Sequence, residues 1–243
     1  MSSRPQVFLR ARWEQLVFLN YEAPRALLAP LVPRGTELDD WGGACLFSLV
    51  GFRFADTRVL GLSVPGHRTF EEVNLRFYVR REGPDGSVRR GVVFVRELVP
   101  RAAIALVARV LYNEPYVSVP MRHDASLEPS RGGRAEYGWA FEARQFSMWA
   151  TAQGASAPLE PESEAEFITE HYFGYTRQRD GGTLEYEVEH PRWNVWRATA
   201  SKFEGPAAAL YGAAFAEILA CPPRTAYLAL GSEVSVRRGT RLV

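Results

Sequence analysis

The sequence predicts an α+β, mainly β chain: an antiparallel sheet or barrel with a few helices packed against it. Three observations carry this. Strand-length runs, apolar or alternating, recur along the chain. Only two segments have good helical spacing. Strands and helices do not follow one another in a βαβα rhythm, and neither GxGxxG nor GxxxxGK[ST] is present.

Residues 7–20 (VFLRARWEQLVFLN) read as a strand or two. Pro24 opens and Pro30 closes a short helix. Residues 43–52 (GACLFSLVGF) form a nearly continuous apolar run, which predicts a strand covered on both faces. Residues 70–80 (FEEVNLRFYVR) alternate cleanly, residues 81–87 make a polar turn, and residues 91–98 (GVVFVREL) return, so this pair is a hairpin with a loop longer than two residues. Residues 100–112 (PRAAIALVARVLY) make the best helix, with proline at its start and Ala103, Leu106, Val107 and Val110 in an apolar stripe. Strands are expected in 120–126 and 134–148. A surface loop follows over 152–166, with Glu160, Glu162, Glu164 and Glu166 in solvent. Residues 184–190 and 193–203 alternate again, 206–219 (PAAALYGAAFAEIL) is the second helix, and 226–236 is strand-like.

The chain of 243 residues, 47% hydrophobic and 23% charged, can form one domain with a sizeable core. A net charge of +1 from 29 basic and 28 acidic side chains gives no long-range field for nucleic acid or an anionic membrane. The longest apolar stretch is interrupted by Arg109 and is too short to span a bilayer, and the N-terminus lacks an apolar leader core, so the cytoplasm is the expected compartment. Cys45 and Cys221 sit in no CxxC pattern and read as small buried hydrophobes. His67, His123, His171 and His190 have no metal-ligand spacing, so neither metal nor other cofactor is expected. Lys202 is the only lysine and reads as a surface residue, which leaves amine chemistry a single side-chain donor.

Chemistry concentrates on the strand over 70–80. Alternation puts Glu72, Asn74, Arg76, Tyr78 and Arg80 on one face and Val73, Leu75, Phe77 and Val79 on the other. The polar face is either solvated or turned into a ligand-holding barrel. On the return strand Val93, Val95 and Glu97 share one face, with Phe94, Arg96 and Leu98 on the other, so Arg96 could lie across from Arg76 or Glu72. His190 ends a strand whose same-face partners are Leu184, Tyr186 and Val188, which allows it to point inward.

Several segments together, among them WEQ at 13–15, YEAP at 21–24, FEEVNLRFYV at 70–79, YNEPY at 112–116 and HPRW at 190–193, resemble the YqjF-like group of uncharacterised bacterial proteins. The similarity runs from about residue 8 to 236. It implies the acetoacetate-decarboxylase-like fold, a cone-like antiparallel β-barrel with flanking helices around an apolar pocket. The decarboxylase carries a pocket Glu on a strand and a Schiff-base lysine in a Pro-Lys-Lys after a helix. The stretch here that resembles it reads Glu114-Pro115-Tyr116-Val117, so the proline matches and the lysines do not. Glu72 matches the pocket acid, whereas the decarboxylase's early pocket Arg falls near Glu14, with Arg12 as a substitute.

The resemblance thus points to a small-molecule pocket with Glu72 and Tyr116 as catalytic candidates and Asn74, Arg76, Arg96, Arg109 and His190 as ligand-binding ones. An enclosed Glu72 would serve as general acid or base, Arg76 would hold a carboxylate or enolate oxygen, and Tyr116 would donate where the lysine is missing. Arg109 would reach Glu97 or Glu72 and fix its helix. The ligand is an unidentified small carbonyl or carboxylate compound, and a homo-oligomer is compatible with the fold. The rival reading is a non-catalytic binding or structural protein in which Glu72 and Arg76 form an interior ion pair.

Overall fold

The computed structural model describes residues 5–63, 65–102 and 113–242. Its strands in chain order are β1 (Val7–Glu22), β2 (Glu37–Leu38), β3 (Leu46–Val59), β4 (Phe70–Glu82), β5 (Val88–Val99), β6 (Tyr116–Ser118), β7 (Met121–Glu128), β8 (Gly132–Phe141), β9 (Arg144–Gln153), β10 (Phe173–Arg177), β11 (Thr183–Glu189), β12 (Val195–Arg197), β13 (Ala200–Glu204), β14 (Thr225–Arg237) and β15 (Thr240–Leu242). The larger sheet runs β14-β1-β3-β4-β5-β10-β11, and β11 pairs back onto β14 through Val188 with Val236 and Glu189 with Ser235. The ring of strands is therefore hydrogen-bonded all round, which removes the free edges of an open sheet. It is antiparallel except where β5 meets β10 in parallel, and β6 adds to β5 in parallel as well. A second sheet, β13-β9-β8-β7, lies against the ring.

The alternation in β4 sorts its side chains as the sequence implies, but both faces are covered. Val73, Leu75, Phe77 and Val79 are fully buried in a core that also holds Tyr137, Met148 and Ala150 of the second sheet and Leu210, Phe215 and Leu219 of the C-terminal helices. The helices that the fold class implies do cover this face, but they share it with a second sheet. Each such side chain contributes about 1.5–3 kcal/mol when removed from water, an upper range because the unfolded chain already hides part of this surface. Opposite them Glu72, Asn74 and Tyr78 face inward and are buried too.

The two sheets meet closely at Gly51, where an added Cβ would lie 2.6 Å from Tyr137 Cδ2 and 3.1 Å from Met148 Sδ. Gly51→Ala is expected to cost about 1–3 kcal/mol by overpacking. Urea unfolding checks this; a loss below about 0.5 kcal/mol, the ordinary surface range, would show that the second sheet yields freely.

Several expectations are corrected. The stretch 134–148 is not one strand but the hairpin β8–β9, turning at Glu142 and Ala143, whose φ of 48° and 59° suit a tight two-residue turn. Residues 193–203 divide into β12, which joins β14, and β13, which joins β9. The helix over 206–219 is broken into Ala208–Tyr211 and Ala213–Leu219 by Gly212, whose φ of 86° is left-handed. The acidic loop ends in a helix, Glu164–Thr169, capped by Ser163 accepting from the Glu166 N–H. Glu164 is buried there against Thr225 and Arg224. Cys221 is exposed, while Cys45 is buried as expected. The helix expected over 100–112 falls, from residue 103 on, outside the described residues, and Arg109 with it.

Candidate functional site

Inside the ring lies a cavity of about 360 Å³, a size at the lower end of ordinary ligand pockets. Its wall is mostly apolar and rich in aromatic side chains, and most of its polar groups gather at two places.

The first place is built from β4, β5, the segment before β6, and β11. Register sets Asn74 opposite Glu97, and Glu97 beside Tyr116. Glu72 Oε1 accepts from Asn74 Nδ2 at 3.0 Å, and Glu72 Oε2 accepts from Tyr116 OH at 3.1 Å. Glu114 accepts from Tyr186 OH at 3.0 Å and from the Thr176 hydroxyl. Glu97 Oε2 and Asn74 Oδ1 are buried without a hydrogen-bond partner among the described residues. Three carboxyl groups thus share an enclosed space. Burial raises Glu72 to about 7, against the pull of Asn74, Tyr116 and Arg76. Burial likewise raises Glu114 to about 7, against Thr176 and Tyr186. Glu97 goes furthest, pushed well above the usual carboxylate range by burial and then by the charges of Glu114 and Glu72. Tyr116 and Tyr186 show part of their rings to the cavity, yet burial and the neighbouring acids hold both phenols well above their ordinary value, so both stay protonated donors.

The second place is the Arg76–His171 end. Arg76 lies 5.7 Å from the Phe18 ring centre and 5.9 Å from that of Tyr78. Among the described residues its one hydrogen bond is Nη2 to the Ile168 carbonyl at 3.4 Å, and its buried Nε has no partner. His171 packs on Tyr78 and Phe167, with Nε2 at 3.7 Å from Asp39 Oδ2. Burial pushes His171 down to about 4 despite Asp39, so its ring is neutral at physiological pH. Burial alone would raise Asp39, but His171 and Arg90 outweigh it and hold it below the usual range.

Of the residues singled out from sequence, Glu72, Asn74, Arg76, Tyr116 and His190 line the cavity. His190 stacks on Trp193 at 4.1 Å, with Nδ1 at 3.0 Å from the Pro191 carbonyl, and burial lowers its basicity. Arg96 does not line it. The β4–β5 register slips between Leu75 and Arg76, so that Leu75 pairs with Arg96 and Arg76 with Phe94. A one-residue bulge reverses the faces beyond it. Phe94 and Glu97 therefore face the cavity, and Arg96 Nε donates instead to the Leu210 carbonyl at 3.3 Å on the far side. Glu97, Glu114, Tyr186 and His171 were not among the sequence candidates. Glu114 stands two residues before Tyr116 and Tyr186 shares the face of His190, signals that alternation alone could have supplied. The interior Glu72–Arg76 ion pair is not formed: the Glu72 carboxyl is engaged by Asn74 and Tyr116.

A family model, DUF2071, described as an uncharacterized conserved protein, matches residues 10–234. The uncharacterized protein YqjF of Bacillus subtilis (strain 168) is 28% identical over 197 residues, 79% of this chain and 76% of that protein. An acetoacetate decarboxylase-like enzyme from Sphingomonas wittichii RW1 superposes with a TM-score of 0.67 at 14% identity, over 98% of this chain and 94% of its own. The enduracididine biosynthesis enzyme MppR, complexed with pyruvate, superposes with a TM-score of 0.68 at 14% identity, over 100% and 92%. Acetoacetate decarboxylase from Legionella pneumophila gives 0.66 at 13% identity, over 100% and 90%. These likenesses establish the acetoacetate-decarboxylase-like fold.

Proposed function

The chain belongs to the DUF2071 family of uncharacterized conserved proteins, and from that premise we propose that it binds a small carbonyl or carboxylate compound in its cavity and moves a proton on it without a Schiff base. The observation that carries this reading is Glu72: an enclosed carboxyl raised to about 7, hydrogen-bonded to a protonated tyrosine, in a cavity wide enough for a substrate. A general base works best with its pKa near the operating pH. Ionised Glu72 takes the proton from the carbon next to a carbonyl. The C–H electron pair becomes the new carbon–carbon double bond as the carbonyl π pair moves to oxygen, and the resulting enolate is met by a donor, either Tyr116 OH or the protonated Glu97. Return of the proton to carbon completes an exchange; its delivery to oxygen completes an enolisation. That MppR has been described with pyruvate bound supports a small oxo acid as the first compound to try.

The test is proton NMR of pyruvate in deuterium oxide near neutral pD. The methyl signal is expected to fade in proportion to added protein. Fading no faster than in buffer, across pyruvate and other small 2-oxo acids and ketones, would sink the reading.

A lysine adduct has no place in this scheme. Lys202 is exposed on β13, with Nζ at 2.7 Å from Glu204 Oε1, and it does not line the cavity. Borohydride treatment in the presence of acetoacetate is expected to leave the intact mass unchanged. A stable adduct mapped to Lys202 would overturn this.

A further inference from the structure

Arg76 is a permanent cation in an enclosed place, without an anion of its own. Among the described residues no carboxylate pairs with it; the Ile168 carbonyl takes one N–H at 3.4 Å, and the buried Nε–H has no partner. An uncompensated guanidinium at such a site is costly unless something arrives to pair with it. His171 stands on the same Tyr78 ring, its centroid 4.6 Å away, with its side chain 1% exposed. Among the described residues neither of its ring nitrogens has a hydrogen bond: Asp39, at 3.7 Å from Nε2, is beyond reach and already holds Arg90 at 2.8 and 3.3 Å. A half-buried cation and a buried neutral imidazole thus keep unused buried polar atoms on one stretch of the cavity wall.

The rest of the wall sets what else the occupant must be. Trp13, Phe18, Phe52, Phe54, Phe70 and Phe94 line it. A three-carbon acid would leave most of that surface unfilled. A phosphate or dicarboxylate would face one arginine against three carboxyl groups, and no lysine lines the cavity.

We infer that the Arg76–His171 end is an oxyanion anchor, and that the protein's ligand is a monocarboxylic acid with an apolar body of aromatic size. Arg76 receives the carboxylate through two N–H donors, the geometry guanidinium favours. His171, as a neutral imidazole, offers one donor and one acceptor to the oxygen beside that carboxylate. The aromatic wall takes the body and brings the carbon chain toward Glu72. This inference rests on the cavity being a small-molecule site, as in the reading above, but not on chemistry taking place there.

The experiment is calorimetric titration at pH 7 with three probes: phenylpyruvate, phenylacetone, which lacks the carboxylate, and pyruvate, which lacks the ring. Phenylpyruvate is expected to bind at least tenfold more tightly than either of the others. Arg76→Gln should remove the advantage over phenylacetone, Arg76→Lys should keep part of it, and His171→Phe should weaken phenylpyruvate severalfold. Equal affinity for phenylpyruvate and phenylacetone, an unchanged preference in a folded Arg76→Gln variant, or no binding of phenylpyruvate would each overturn the anchor. Should Arg76→Gln lose its near-ultraviolet circular dichroism, the wild-type series decides alone. The two readings fail separately. Phenylpyruvate bound with its benzylic protons unexchanged in deuterium oxide sinks the proton-transfer reading and leaves the anchor. Pyruvate exchanged without preference for phenylpyruvate does the reverse.

Discussion

Glu72→Gln is expected to lower catalysed exchange by roughly 10²–10⁴-fold, the usual contribution of a positioned general base. The amide keeps the shape of the side chain and can still accept from Asn74 or Tyr116, whose contacts at 3.0 and 3.1 Å define the carboxyl's place. What it loses is the ability to take a proton. Tyr116→Phe should act differently. It removes one donor to the developing oxyanion, worth on the order of 10²–10³-fold at comparable sites. It also removes a hydrogen bond that favours the ionised form of Glu72. In the wild type, exchange should fall as pH drops below about 7, where Glu72 takes up its proton. In Tyr116→Phe that limb should move to higher pH, because the carboxylate has lost a stabilising donor. A merely structural tyrosine would lower the rate without moving the limb. Rates measured by NMR from acid to mild alkali separate these cases, and a Glu72→Gln variant with wild-type exchange would remove Glu72 from the mechanism.

How far the site was legible depends on how local each signal is. Glu72, Asn74 and Arg76 follow from strand periodicity, and Tyr116 from the proline motif it adjoins. All four line the cavity, while two sheet-level features defeat the same reasoning nearby. The bulge between β4 and β5 depends on how two strands register, which alternation within β5 cannot reveal, so nothing in the sequence decides between Arg96 and Glu97 as the residue that enters the cavity. The cover over Val73, Leu75 and Phe77 comes from β8 and β9, some sixty to eighty residues further on, and sheet-on-sheet contact leaves no local trace beyond apolar side chains. His171 follows Glu170 just after a short helix whose Pro- and Glu-rich approach reads as loop, although Ser163 and Glu166 carry the spacing of a cap. Closure of the ring through Val188 and Val236 was reachable only through the resemblance to the decarboxylase-like fold, because it joins β14 to a strand that begins forty-two residues earlier.

The acids that make the site are also expected to set how stability responds to pH, in the direction opposite to ordinary surface carboxylates. Glu72 and Glu114 are raised to about 7 and Glu97 higher, whereas an unfolded glutamate titrates near about 4.3. Between those values the native state holds protons that the unfolded state has released. Stability therefore falls as pH rises through this window, by up to about 1.4 kcal/mol per pH unit for each acid that stays protonated only when folded. His171, held near 4 in the fold, and His190, also lowered, oppose this as unfolded histidine protonates around its midpoint of about 6.5, and fully below it. Between pH 8 and 6.5 the acids dominate, because His171 and His190, whose basicity burial lowers, each offset only about 0.4 kcal/mol there, and across this window the unfolding free energy should rise by about 2–3 kcal/mol on acidification. Glu97→Gln supplies the sharper reading. Its amide has no proton to lose, so the variant should exceed wild type in stability at pH 8, with the slope between pH 8 and 6.5 reduced by up to about 1.4 kcal/mol per unit. Urea unfolding at half-unit steps measures both. A wild-type stability that is flat or climbs from pH 6.5 to 8, or a Glu97→Gln slope equal to the wild type, would mean that these carboxyl groups are ionised in the folded protein, and Glu97 could then not donate to an enolate.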